Sequence, residues 1–224
     1  MTVLAIAGAT GVVGRKALAA ILETPTVTRV IAVGRREVDF GDARVASRVA
    51  VLQDAHAIAE ALGGPVEVGV CSLGTTRAKA GSAEAFRAVD LHAVVRFAEA
   101  CRARGATRFV LVSSLGASAK SAALYLRTKG EAEDAVAALG FDDVTIVRPS
   151  VIDDEGARDE NRLGEKIGIA LGRAVFAVLG RQRRYAPVTA ETIGRAVAAF
   201  AVGGASTPGV AVVESEELHA FGAD

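Results

Sequence analysis

Short apolar segments alternate with longer segments whose apolar residues recur at helical spacing along the first 150 residues of the chain. The apolar segments predict six β-strands, at 2–7, 29–33, 45–52, 66–72, 108–113 and 144–147. Helices are expected between them, at 11–22, 56–62, 85–103 and 122–139. Strands that are apolar on both sides and joined by helices form parallel sheets covered on both faces. The pattern therefore predicts an α/β fold with a doubly wound parallel sheet.

The remaining residues are less regular. They predict a charged loop over 153–164, helices over 163–179 and 190–202, and a late strand over 209–213. We expect a single domain over 1–224, with a cofactor-binding core over about 1–152 and a small cap over about 153–224. Such a cap would cover the carboxyl edge of the sheet, where ligands bind in open α/β folds.

Composition narrows the partners. The 224 residues carry 26 basic and 26 acidic side chains, and 51% are hydrophobic, which is typical of a folded globular protein. This balance gives no support to a nucleic-acid or membrane-surface role, so we expect a small-molecule substrate and leave oligomerisation open. We predict a cytoplasmic location, because no signal-like or membrane-spanning apolar stretch is found. Cys71 and Cys101 are expected to be buried free thiols, and no metal site is predicted.

A glycine-rich turn directly follows the first predicted strand and opens the first predicted helix. A turn in this position leaves backbone N–H groups free at a helix N-terminus, where a pyrophosphate can bind. An ordinary tight connection is the alternative, but the strand–turn–helix order favours a nucleotide cofactor. The turn reads Gly8, Ala9, Thr10, Gly11, Val12, Val13 and Gly14.

Two consecutive arginines, Arg35 and Arg36, end the second predicted strand, and Arg35 lies 21 residues after Gly14. Enzymes that prefer NAD place an acidic residue near this position to bind the ribose 2′-hydroxyl, whereas an arginine suits a 2′-phosphate. Guanidinium groups match phosphate oxygens bidentately. A solvated charge pair is the alternative. We predict NADP(H) as the cofactor.

A Y-x-x-x-K pattern, Tyr125 and Lys129, lies on a predicted helix after the serine pair Ser113 and Ser114. Residues four apart share a helix face, so the phenol and the ammonium can act on one bound molecule. Reduction of a carbonyl leaves an alkoxide that needs a proton, and a tyrosine near a positive charge can give one. We predict Tyr125 as acid/base, Lys129 as its tuner and ribose anchor, and Ser114 as carbonyl donor. Ser113 is expected to face the other side of the strand.

The segments GATGVVG, VGRR, CSLGTTRAKAG, LVSSLGAS, YLRTK and IVRPSVI resemble the atypical short-chain dehydrogenase/reductase superfamily, and in particular its Tat-interacting protein branch. The resemblance spans residues 3–160 and implies an NAD(P)-binding Rossmann fold with oxidoreductase chemistry. It also implies roles for individual residues, in which the Thr10–Val13 turn holds the pyrophosphate and the two arginines hold the 2′-phosphate. The other implied cofactor contacts are Leu73 and Gly74 on the adenosine side, Val151 and Ile152 at the nicotinamide, and Asp54 near adenine.

Some residues depart from this resemblance or leave alternatives open. Asp90 stands where many relatives have an active-site asparagine, and Ser150 replaces a common glycine. Asp54 could equally be an exposed turn residue. Three isolated histidines are expected to be surface or structural groups, namely His56, His92 and His219. Several cations suit either a solvated face or the mouth of an anion site, namely Arg77, Lys79, Arg181, Arg183 and Arg184.

Two functions follow from these residues. The first is an NADP(H)-dependent oxidoreductase that acts on a small carbonyl or alcohol through Ser114, Tyr125 and Lys129. The second is an NADPH-binding redox-sensing or regulatory module without turnover, because a fold does not fix a function.

Overall fold

The computed structural model describes residues 1–153, 183–203 and 208–222. The strands in these ranges are β1 (Thr2–Ala7), β2 (Val27–Gly34), β3 (Val45–Val49), β4 (Val68–Cys71), β5 (Arg108–Val112), β6 (Asp143–Arg148), β7 (Ile152–Asp153), β8 (Val188–Thr189) and β9 (Gly209–Glu214). In the described part of the chain, seven of these strands form one parallel sheet in the order β3-β2-β1-β4-β5-β6-β9. The chain reverses its direction of winding between β1 and β4, which places a ligand-binding crevice at their carboxyl ends.

The helices lie on both faces of this sheet. They are α1 (Val12–Leu22), α2 (Ala55–Leu62), α3 (Arg77–Ala80), α4 (Ala83–Arg87), α5 (Val94–Ala103), α6 (Leu124–Ala137), α7 (Ala190–Val202) and α8 (Ser215–Leu218). A π-helical segment, Ala88–Ala93, joins α4 to α5, and short 3₁₀ turns lie at Arg183–Tyr185 and His219–Phe221. The helix predicted over 85–103 is therefore interrupted by a wider turn.

The sheet has an apolar core on each face because alternate strand residues point to opposite sides. In β1, Leu4 and Ile6 belong to the core packed against α1 and α7, whereas Ala5 and Ala7 belong to the core packed against α2, α5 and α6. All four residues are fully buried. This burial on both faces explains why the strands read as continuous apolar segments.

The last described strand lies in the main sheet, although the sequence predicted it within the small cap. Strand β9 pairs with β6, with Val147 opposite Val213, and so extends the main sheet. Helix α7 packs against α1 beneath the same sheet. Helix α7 and strand β9 are therefore part of the layered core and do not cap the carboxyl edge. The helix predicted over 163–179, residues 154–164 of the loop predicted over 153–164, and Arg181 lie outside the described residues.

The predicted doubly wound Rossmann-like fold is confirmed. All six predicted core strands are present, and their ends differ from the prediction by a few residues, as strand ends commonly do. Cys71 and Cys101 are both buried and free, and burial raises the pKa of the Cys71 thiol to about 12. In the described part of the chain, no helix is long and apolar enough to cross a bilayer.

Candidate nucleotide-cofactor site

The glycine-rich turn after β1 is packed too closely for side chains at two positions. Gly8 has a φ of +86°, and a Cβ there would lie 2.6 Å from the backbone carbonyl of Ser72. A Cβ on Gly14 would overlap the Gly8 carbonyl oxygen. The Gly11 N–H donates to that same oxygen at 2.9 Å. The turn is thus held tightly against β4, and its backbone faces the crevice.

Helix α1 begins without a side-chain cap. Its N-cap residue is Gly11, which offers no side chain to the first-turn N–H groups. Val12, Val13 and Gly14 form this first turn, in which Val13 and Gly14 are buried and Val12 is partly exposed. By contrast, a side-chain oxygen caps four other described helices, through Asp54, Thr76, Ser82 and Thr189. An uncapped helix N-terminus that opens onto a crevice fits an anionic group such as a pyrophosphate.

A cavity of about 360 Å³ lies over this turn at the carboxyl edge of β1, β2 and β4. Seven residues predicted to bind the cofactor line it, namely Gly8, Thr10, Gly11, Arg35, Arg36, Leu73 and Gly74. The sequence did not single out Val38, Phe40, Ser47 or Gln53, which also line it, because they are separated from the motifs and carry no spacing signal. The structure therefore brings three separately predicted motifs, at 8–11, 35–36 and 73–74, to one cavity.

All charged residues in the described lining of this cavity are cations. Arg35, Arg36 and Lys79 line it and are solvent-exposed, and none forms an ion pair with another described residue. Its described lining contains no aspartate or glutamate. Unopposed cations in a concave site create a positive potential that attracts anionic ligands.

Asp54 caps helix α2, which differs from the contact with adenine that the resemblance implied. Its carboxylate accepts hydrogen bonds from the N–H groups of His56 at 2.9 Å and Ala57 at 3.1 Å, and it thereby caps α2. The two preceding residues, Leu52 and Gln53, line the cavity, whereas Asp54 is not among its described lining residues.

Val151 and Ile152 are also placed away from the cavity lining. The Val151 carbonyl accepts a hydrogen bond from the Val188 N–H at 3.0 Å, and Ile152 pairs with Val188 in the small sheet formed by β7 and β8. The Ile152 side chain is exposed. The segment after β6 is therefore tied to the segment before α7.

The predicted catalytic residues lie on α6 and on the loop after β5. The Tyr125 side chain is 43% exposed on the first turn of α6, and its ring centroid is 5.8 Å from that of Phe86. Lys129 lies one turn further along and is buried. Ser114 is half-buried after β5, and its Oγ is 3.5 Å from the Leu115 carbonyl oxygen. The neighbouring Ser113 hydroxyl is buried and has no hydrogen-bond partner among the described residues.

Asp90 is the main site residue whose contacts the sequence did not predict. It is fully buried in the π-helical segment, and its Oδ1 lies 2.8 Å from Lys129 Nζ. Its Oδ2 accepts a hydrogen bond from the Thr75 N–H at 2.9 Å. A Cβ added to Gly74 would lie 3.5 Å from both Asp90 Oδ1 and Lys129 Nζ. Asp90 therefore joins Lys129 to the loop that lines the cavity, and π-helical turns are often found at functional sites.

Two opposing influences act on the Lys129 ammonium. Burial is the larger single influence and lowers the pKa, because it removes the charged form from water. The Asp90 carboxylate and the ionised form of Tyr125 favour the ammonium, and with them the pKa of Lys129 is raised from its usual value of 10.5. Lys129 is thus a cation at neutral pH, and its charge is balanced by Asp90.

Comparison with known proteins identifies the family of the chain. A family described as NAD(P)H-binding matches residues 8–175. The chain belongs to this NAD(P)H-binding family. The family match spans the glycine-rich turn, the cavity and α6. It confirms the nucleotide-binding fold that the motifs predicted.

Two relatives indicate the branch. The protein FMP52 of Candida albicans is 33% identical over 201 residues, which cover 88% of this chain and 86% of that protein. HTATIP2 of Rattus norvegicus is 39% identical over 163 residues, which cover 71% of this chain and 66% of that protein. The predicted resemblance to the Tat-interacting protein branch is confirmed.

Solved structures with low sequence identity share the fold. A short-chain dehydrogenase/reductase superfamily protein from Agrobacterium tumefaciens, solved with bound NAD, has a TM-score of 0.70 at 18% identity. The match covers 95% of this chain and 77% of that one. MoeE5 in complex with UDP-glucose and NAD has a TM-score of 0.66 at 18% identity, over 96% of this chain and 79% of that one.

The predicted cytoplasmic location is wrong by this comparison. FMP52 of Candida albicans, fmp52 of Emericella nidulans and FMP52 of Eremothecium gossypii are all named mitochondrial proteins. The prediction rested on the absence of a signal-like N-terminal segment, and such an absence does not specify a compartment.

Proposed function

We propose that the chain is an NADP(H)-dependent oxidoreductase that interconverts a small carbonyl compound and its alcohol. The observation that carries the cofactor choice is the arginine pair after β2, because Arg35 and Arg36 both line the cavity and have no ion-pair partner among the described residues. NADP differs from NAD by one additional phosphate, and an NAD site usually presents a carboxylate to the ribose hydroxyls. The described lining of this cavity offers no such carboxylate.

Three parts of the site would hold the cofactor. The first turn of α1 would bind the pyrophosphate through its backbone, because no side chain occupies those N–H groups. Arg35 and Arg36 would bind the 2′-phosphate at the end of β2. Leu73 and Gly74 would contact the adenosine side. The bound cofactor would supply or accept the hydride.

The side chains on α6 and after β5 would supply the remaining chemistry. The exposed Tyr125 hydroxyl would donate a proton to the alkoxide oxygen of the substrate. Lys129 lies one turn away, where its ammonium favours the phenolate that remains. The Ser114 hydroxyl would donate a hydrogen bond to the carbonyl oxygen. These roles require no residue outside the described part of the chain.

Turnover tests the catalytic assignment. Purified protein with NADPH and a panel of aldehydes and ketones should oxidise the cofactor, and Tyr125→Phe should lower kcat by about 10²–10⁴-fold, the usual contribution of a general acid. Phenylalanine keeps the ring that contacts Phe86, so the fold should be unaffected. Ser114→Ala should also slow turnover, whereas the matched variant Ser113→Ala should not. Full activity in Tyr125→Phe would rule out the proposed acid.

Binding tests the cofactor assignment separately. Wild-type protein should bind NADPH more tightly than NADH, and Arg35→Ala should reduce that preference by roughly 10-fold or more, as expected for a charge-assisted bond to phosphate. Arg29→Ala is the control, because Arg29 is exposed near the start of the same strand. Equal affinity of the wild type for NADPH and NADH would refute the 2′-phosphate site.

A regulatory NADPH-binding module without turnover is a second candidate function, and the Lys129–Asp90 pair favours it. The carboxylate 2.8 Å from Nζ balances the charge that would otherwise activate Tyr125. Lys129 would then serve mainly to fix the cofactor loop. Tight NADPH binding with no turnover on any substrate would support this function over the enzyme.

A further inference from the structure

The loop after β4 presents a cation to the cavity from the side opposite the two arginines. Arg35 and Arg36 follow β2, whereas Lys79 lies on α3, which follows β4. Strand β1 lies between β2 and β4 in the sheet, and its glycine-rich turn forms the floor of the cavity. The cations therefore stand on both sides of the turn that would hold a pyrophosphate.

The backbone that carries Lys79 is fixed. The Thr76 hydroxyl accepts a hydrogen bond from the Lys79 N–H at 3.2 Å and caps α3. One residue earlier, the Thr75 N–H donates to the buried Asp90 carboxylate at 2.9 Å. Gly81 ends the helix with a φ of +80°. These contacts hold the base of a long, flexible side chain at the rim of the cavity.

The Lys79 side chain itself is not engaged. It is exposed, and its ammonium has no ion pair or hydrogen bond with any described residue. Arg77 lies on the same single turn of helix and is also exposed, but it is not among the described lining residues of the cavity. Lys79 thus lines the cavity, its backbone is held in place, and its ammonium has no partner among the described residues, which suits an anion supplied by the ligand.

We propose that Lys79 binds the pyrophosphate of the nucleotide cofactor from the β4 side, opposite the first turn of α1. This rests on the proposed function only in requiring a nucleotide ligand, and it assigns Lys79 to the phosphates that NADP and NAD share. Arg35 and Arg36 then determine the preference between the two cofactors. Lys79 determines the affinity for both.

Nucleotide titrations of the full chain test this assignment. The dissociation constants of NADPH, NADH and ADP are measured for the wild type, for Lys79→Gln and for the matched control Arg77→Gln. Lys79→Gln should weaken all three nucleotides by the same factor, about tenfold, which is the usual value of one charge-assisted bond to phosphate. Arg77→Gln should leave all three unchanged. The loss should be larger at low salt, because the partners are exposed charges.

The outcomes separate this proposal from the proposed function. Weakening of NADPH alone would place Lys79 at the 2′-phosphate and overturn its assignment to the pyrophosphate. Equal losses in Lys79→Gln and Arg77→Gln would show only a general effect of surface charge and would also overturn it. Equal wild-type affinity for NADPH and NADH would refute the NADP preference, yet a common loss in Lys79→Gln would still support the role of Lys79.

Discussion

Removal of the Asp90 carboxylate should destabilise the protein strongly and in a pH-dependent manner. The Asp90 side chain has no solvent-accessible surface, and the Lys129 side chain is only 8% exposed. Asp90→Ala would leave a buried ammonium without its counter-ion and the Thr75 N–H without its acceptor. Breaking a buried ion pair by removing one partner costs about 3–5 kcal/mol. That is a large fraction of the roughly 5–15 kcal/mol by which a domain is stable.

The sign of the pH dependence follows from Lys129. In the wild type, the pKa of Lys129 is raised above 10.5, so the ion pair is intact and its contribution is constant at neutral pH. That contribution is lost only as the pH rises through the raised pKa. In Asp90→Ala, the carboxylate that stabilises the ammonium is gone, so burial lowers the pKa of Lys129. The cost of Asp90→Ala should therefore decrease as the pH rises from 7 towards 10.

Urea unfolding at several pH values measures both effects. The control is Glu131→Ala on the same face of the fold, since its partner Arg87 is 2.6 Å away but both side chains are about one-third exposed. Exposed pairs of this kind contribute about 0–1 kcal/mol. Lys129→Met in the Asp90→Ala background should recover part of the loss. A cost of Asp90→Ala no larger than that of Glu131→Ala, or one independent of pH, would refute the buried pair.

Two further predictions concern the packing of α6. Glu133→Gln should destabilise the protein by about 2 kcal/mol in urea unfolding, because the nearly buried Glu133 carboxylate binds the Arg148 guanidinium through two hydrogen bonds of 3.0 and 2.5 Å. A change below 0.5 kcal/mol would contradict this ion pair. Gly130→Ala should lower both the stability of the protein and its turnover, because a Cβ at this position would overlap the backbone of Ser118 and Ala119 in the loop before α6. An unchanged melting temperature and an unchanged kcat would show that this loop can move aside.

The layered fold could be predicted from the sequence because each strand, helix and turn has a recognisable pattern in its own short segment of the chain. Strands buried on both faces read as short apolar segments, and the glycine-rich turn follows β1 where the close approach of Gly14 to Gly8 requires it. The strand β9 was also predicted, but not its position. Pairing between β6 and β9 joins residues far apart in the chain, and no local pattern specifies such a partner.

The missed features depend on contacts between elements. The segment 85–103 has continuous helical periodicity. The π-helical turn that places Asp90 beside Lys129 therefore cannot be recognised from the sequence pattern. Asp54 shows the opposite situation. An aspartate directly before a helical segment is a common N-cap, and this local signal matches the structure better than the implied contact with adenine.

The Asp90 contacts also change what the Y-x-x-x-K pattern means for function. Lys129 is bound to Asp90, which in turn holds the cavity loop through Thr75, so a protein that only binds the cofactor has a structural reason to keep this lysine. Tyr125 has no such reason, because its side chain is 43% exposed and its ring contact with Phe86 does not need the hydroxyl. Lys129 variants would therefore impair an enzyme and a binding module alike. The hydroxyl of Tyr125 is the single group on α6 whose removal distinguishes the two functions.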